Sequence, residues 1–179
     1  MKRTLFFLLI FLGFTVAVSH AQSARSLPGY VDLSRLGDLE TVIGSEPTIE
    51  VNVEGALLRL VAEASRAEDP DLAVMLRRLD GIYVRGFAMK PGVPARARDR
   101  ARVIGDALEK DGWTTIVRIN DEQEYVRMYA LMERDQIVGM VVMAIEADSD
   151  EAIFLNIVGD VDPEEIGRIG SRFRVRIGG

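Results

Sequence analysis

The chain has 179 residues, a formal net charge of −6, no cysteine and a single histidine, His20, near its start. Beyond Ala21 it holds neither thiol nor imidazole, which excludes a cysteine nucleophile, a Ser-His-Asp triad and any zinc site built on His or Cys there. With no disulfide available the fold must rest on its core, and the acidic balance argues against sequence-independent binding to nucleic acid.

Met1-Lys2-Arg3 is followed by an apolar stretch from Leu5 to Val18 and then by Ser19-His20-Ala21. A basic start, an apolar core and small residues at a cleavage point are the parts of a secretory signal peptide, with cleavage expected after Ala21. The apolar run is shorter than the ~20 residues that span a bilayer, so no stable membrane anchor is expected after cleavage. Residues 1–21 are read as signal peptide, 22–47 as leader and N-terminal segment, and 48–179 as a single α+β domain.

A strand is expected over Thr48–Val53, where Ile49, Val51 and Val53 alternate with polar residues. Ala56, Leu57, Leu60, Val61 and Ala64 then form a helical stripe. A second helix follows Asp69-Pro70-Asp71, where Asp69 caps and Pro70 suits the first turn. Gly81 is expected to end that helix before a strand over Ile82–Met89. Pro91 and Pro94 precede a long helix from Ala95 to Lys110, stopped by Gly112. Strands are expected at Thr114–Ile119, Tyr125–Met132, Ile137–Glu146 and Glu151–Val158, joined by short polar loops that make neighbours antiparallel. Asp162-Pro163-Glu164-Glu165 opens a last helix, and Phe173–Ile177 alternates as an edge strand would. The fold class is α+β: a mainly antiparallel sheet of five to six strands with helices packed on one face.

Three segments carry a resemblance: Leu27-Pro28-Gly29-Tyr30-Val31-Asp32-Leu33, Glu50-Val51-Asn52-Val53 and Asn156-Ile157-Val158-Gly159. With Trp113 and Asp162-Pro163, they make the chain resemble the bacterial family catalogued as domain of unknown function 4252, over roughly Leu27 to Gly170. The resemblance implies a small exported protein of a Gram-negative envelope. It implies no activity, cofactor or catalytic residue.

Calcium chemistry at Asp160–Glu165 is weak, because Glu165 stands where a calcium loop needs glycine. The carboxylates Glu122, Glu124, Glu146 and Glu151 lie near turns and offer only a weak basis for glycoside hydrolysis. Arg96, Arg98, Arg100 and Arg102 read as a solvated helix flank around a buried stripe of Ala97, Ala101, Ile104 and Leu108, with Asp106 as partner for Arg102.

Strand register is more informative. Loops at 121–124, 133–136 and 147–150 set Arg118 opposite Arg127, Tyr129 opposite Met140, and Val142 opposite Leu155. Alternation then gives one face to Val117, Ile119, Val126, Met128, Met132, Val141, Met143, Ile145 and Phe154, with Asn156 as a satisfied polar group. The other face holds Arg118, Tyr125, Arg127 and Tyr129 beside Val138, Met140, Val142, Ile153, Leu155 and Ile157. The opposed arginines need an acid, an aromatic ring or an anion between them. That second face is either covered by the N-terminal segment and the Ala56–Leu79 helices or received by a partner.

The expected function is a non-enzymatic binding or interaction module, periplasmic in a Gram-negative bacterium. Arg118, Arg127, Tyr125 and Tyr129 are its ligand or partner contacts. No catalytic residue, metal site or cofactor is assigned. The partner is an envelope protein or a second copy of the chain. A carrier of an apolar, lipid-like ligand with an acidic head is the alternative, and a carboxylate hydrolase stands last.

Overall fold

The computed structural model describes residues 24–32 and 39–162. A short helix α1 (Leu39–Ile43) precedes strand β1 (Ile49–Glu54). Gly55, with φ +56°, turns the chain straight from β1 into helix α2 (Gly55–Ser65), a left-handed conformation that favours glycine. Helix α3 (Pro70–Arg78) opens as its sequence demands: Pro70 lies in the first turn and the Asp69 carboxylate accepts the Leu72 amide at 3.1 Å. Strand β2 (Leu79–Ala88) follows without a loop. Gly81 therefore sits inside the strand instead of ending the helix, where an added Cβ would come within 3.0 Å of the Tyr83 ring and Ala24.

Helix α4 (Val93–Lys110) ends at Gly112, whose φ of +91° lets the Trp113 amide reach back to the Leu108 carbonyl at 3.0 Å. Strands β3 (Thr114–Asn120), β4 (Glu124–Glu133), β5 (Gln136–Glu146) and β6 (Glu151–Val161) complete an antiparallel six-stranded sheet in the order β1-β2-β6-β5-β4-β3. The class is α+β, as the sequence indicates. The helix expected from Asp162 and the edge strand over 173–177 lie outside the described residues.

The helices divide between the two faces, which corrects the expectation of packing on one. Ala97, Ala101, Ile104 and Leu108 of α4 pack on Tyr125, Tyr129, Val141, Met143, Ile145 and Phe154, with Ile43 of α1 in the same core. Leu58 and Ala62 of α2 and Met75 and Leu76 of α3 pack on Met140, Ile157 and Val161. Because side chains alternate along β5 and β6, Val141 and Met140 point to opposite sides. Covering by the Ala56–Leu79 helices is thus realised, but with a different helical stripe. Since α2 leaves β1 with no loop, the strand dictates its rotation. Leu58 and Ala62 face the sheet, and Leu57, Leu60 and Val61 face outward, Leu60 being 65% exposed.

Two of the three expected registers hold: Arg118 pairs with Arg127, and Val142 pairs with Leu155. The β4–β5 register is corrected. Its hairpin closes through the two-residue turn Arg134-Asp135, both at positive φ, and the first pairs, Glu133–Gln136 and Met132–Ile137, are those a 133–136 loop gives. Val138 then bulges out, and Leu131 pairs with Gly139. One inserted residue shifts the rest of the ladder, so Tyr129 lies opposite Val141 and Arg127 opposite Met143. The β3–β4 half of each face is thereby exchanged.

Candidate functional site

On the face partly covered by α2 and α3, the ladders define cross-strand rows. The row Val53, Ile82, Ile157, Met140 lies closest to the two helices. The next runs Val51, Val84, Leu155, Val142, Met128, Val117 across all six strands, and a third runs Ile49, Gly86, Ile153, Ala144, Val126, Ile119. Both rows are wholly apolar; Met128 and Leu155 of the second row pack against the helix-covered cluster, yet apart from Gly86 no member of either row is buried. Ile49 is 52% and Ile153 41% exposed. A fourth row, Glu124, Glu146, Glu151, closes the face with directly paired carboxylates.

This open face is the one the sequence half-describes. Val142, Ile153 and Leu155 were placed on it correctly. Val117, Ile119, Val126 and Met128 join them because of the Val138 bulge, and the arginines and tyrosines leave. The missing signal was Val138 followed by Gly139, a bulge position that no alternation pattern announces.

The four expected contact residues come together under α4 instead. Tyr125 is fully buried and Tyr129 2% exposed. An alanine Cβ at Gly105 would sit 2.1 Å from the Tyr129 hydroxyl, so that glycine makes room for the phenol. The Tyr125 hydroxyl is buried with no hydrogen-bond partner among the described residues. The Arg127 guanidinium lies 4.4 Å from the Tyr125 ring centre and donates to the carbonyls of Ile119 at 2.7 Å and Val126 at 3.0 Å. Arg118 reaches Glu109 of α4 at 3.3 Å. The ring and the acid that the opposed arginines require are thus supplied by the protein. Arg102 pairs with Asp99 at 2.9 Å and not with Asp106, while Arg98 donates to the carbonyls of Asp121 and Glu122.

Residues 24–32 strap the other half of the α4 face. Asn156, fully buried, is satisfied as expected: its amide donates to the Gly29 carbonyl at 2.9 Å and the Met140 carbonyl at 3.2 Å, and its oxygen accepts the Val31 amide at 2.9 Å. A Cβ on Gly29 would lie 2.0 Å from the Val138 carbonyl, so the strap crosses the sheet where β5 bulges. At the β1 side, Tyr30 stacks edge-on against Tyr83, whose hydroxyl donates to Glu54 at 2.7 Å. Arg85 beside Glu50, aided by Asn52, lowers the pKa of that carboxyl. Burial raises the pKa of all four tyrosines, and Glu54 raises Tyr83 further.

Among the described residues no group of three His, Cys, Asp or Glu could hold a metal ion, and no helix is long and apolar enough to cross a membrane. Asp160 and Asp162 both face Arg78, at 3.0 and 3.7 Å. A family model described as domain of unknown function (DUF4252) matches residues 44–169. The chain belongs to that family. The matched span opens after α1, so the strap that satisfies Asn156 lies outside it. No curated protein and no solved structure matches the chain.

Proposed function

We propose that this protein is an exported, non-enzymatic binding module of the bacterial envelope, and that a partner protein docks on the open rows of its sheet. The observation that carries this reading is the pair of apolar rows running unbroken across all six strands. They run roughly 24 Å across the sheet and lie about 7 Å apart, from the usual strand and residue spacings. An apolar patch of a few hundred Å² is about the largest that a typical monomer exposes, and such a patch is often functional. Export is supported by Lys2-Arg3, the apolar stretch Leu5–Val18 and Ser19-His20-Ala21.

Contact roles then pass from Tyr125 and Tyr129, which a partner on this face does not reach, to Val126, Met128, Val142 and Ile153. A carrier of a lipid-like ligand would use the same surface, but an open row gives an acyl chain only one wall. A cleft of about 810 Å³ between the strap and α4 is lined by Asp32, Asp111 and Glu133 against one cation, Arg25, a balance that disfavours an acidic head group.

The folded protein should enhance the fluorescence of an apolar-surface dye, and Val142→Ser with Ile153→Ser should lower that signal while circular dichroism stays unchanged. A dye signal unaltered by the double substitution sinks the docking reading. A lipid recovered by extraction and mass spectrometry replaces it with the carrier. Intact mass of protein from the periplasm should show loss of residues 1–21.

A further inference from the structure

Building on that docking reading, we infer that the segment received by the open face is a cationic amphipathic helix of a partner protein, laid across the strands. The two rows span about 24 Å, the length of roughly 16 helical residues, and lie about 7 Å apart, within reach of a single helix about 10–12 Å in diameter. A flat apolar sheet face is covered by helices throughout globular folds, as α4 covers the opposite side here.

The charge comes from the fourth row. Glu124 lies directly opposite Glu146, and Glu146 directly opposite Glu151. None of the three forms an ion pair among the described residues; Glu146 accepts only the Ser149 hydroxyl, at 3.1 Å. Like charges in adjacent cross-strand positions repel, and a lysine or arginine flank on the docked helix removes that repulsion. Asp148 and Asp150 in the adjoining turn extend the same field. Acids at the other end of the sheet are differently placed, since Asp160 and Asp162 already face Arg78.

Among the described residues no helix is free to supply this segment. The arginine-rich helix α4 is committed to the covered face. Residues 163–179 depart from Asp162, at the end of β6 remote from Glu151. Returning from Val161 to the level of Ile153 takes about 26 Å, some eight extended residues, which leaves too few for a helix of about 16.

The test uses the full protein and three labelled 18-residue helical peptides, Leu/Lys, Leu/Gln and Leu/Glu, followed by fluorescence anisotropy. The Leu/Lys peptide should bind about tenfold more tightly than Leu/Gln, the gain that three exposed ion pairs supply together. High salt should erase that margin. The variant E124Q/E146Q/E151Q, altered only at half-buried or exposed positions, should lose the margin yet still bind Leu/Gln. Val142→Ser with Ile153→Ser should weaken all three peptides. Equal binding of the three peptides overturns the cationic helix and leaves the docking reading standing. Binding of Leu/Lys unaltered by the double Ser substitution places it elsewhere and overturns both. A stable dimer in sedimentation, dissolved by Val142→Lys, assigns the face to a second copy. Preference for phosphatidylcholine vesicles over any peptide also overturns the inference.

Discussion

Tyr129 and Gly105 meet at a tight point of the covered face, and their contact can be tested as a pair. Gly105→Ala drives a methyl group into the phenol hydroxyl 2.1 Å away, and should cost about 2 kcal/mol in chemical denaturation. Tyr129→Phe removes that oxygen, so the double variant should recover about half of the loss. No recovery would mean that the glycine serves some other purpose. The tyrosines also set the alkaline limit. All four have raised pKa values in the folded protein, chiefly because burial disfavours the phenolate. A pKa raised above the unfolded value, about 10, stabilises the fold fully below that pH and loses its effect as pH rises through the folded value. Phenolate absorbance should therefore rise together with loss of circular dichroism above about pH 10. A gradual rise near pH 10 with the fold intact would contradict this burial.

At the scale of elements, local chemistry marked where α3 starts and where α4 stops, and this was legible; the end of α3 was not, since Gly81 lies within β2. Asp69-Pro70 opens α3, Gly112 closes α4, and alternation marks every strand. Helix α1 was missed, since its five residues are too few to show a period, although Ile43 is buried in the main core. The rotation of α2 was missed for another reason. Ala56, Leu57, Leu60, Val61 and Ala64 form as good a stripe as the one used, and the strand before them chose between the two. The β4–β5 turn invites a test of the bulge. Arg134-Asp135→Asn-Gly suits positive φ at both positions and should stabilise by about 0.5–1 kcal/mol without changing the ladder. The strap depends on one side chain. Asn156→Leu leaves the Val31 amide buried without its acceptor and should cost about 2–4 kcal/mol, with fast hydrogen exchange at Val31. Slow exchange there would show that the strap holds without Asn156.

For the molecule as a whole, adjacent residues report the two faces. Met143 is fully buried beneath α4, whereas Val142 lies in the open row. Met143→Asp buries an unpaired charge and should unfold the domain, while Val142→Glu should cost no more than about 1 kcal/mol. Equal damage from both would mean that the open row is covered. Of the two opposed arginines Arg127 is the one tied into the fold, because its guanidinium donates to two carbonyls and lies over an aromatic ring. Strand β6 joins the molecule by inserting between β5 and β2, a pairing between residues more than sixty positions apart along the chain.

Alternation and end signals act over a few residues, so the sequence by itself settled the fold class, the six strands, the long helix and the family. The side of the sheet on which each half of the meander points was a tertiary decision. It turned on Val138, whose bulge is set by the strap crossing at Gly29 and by the glycine beside it at 139. A period-two pattern is unchanged by which neighbour it faces, and one extra residue reverses the outcome. That reversal put the tyrosines in the core and left an apolar, acid-edged face beside α2 and α3.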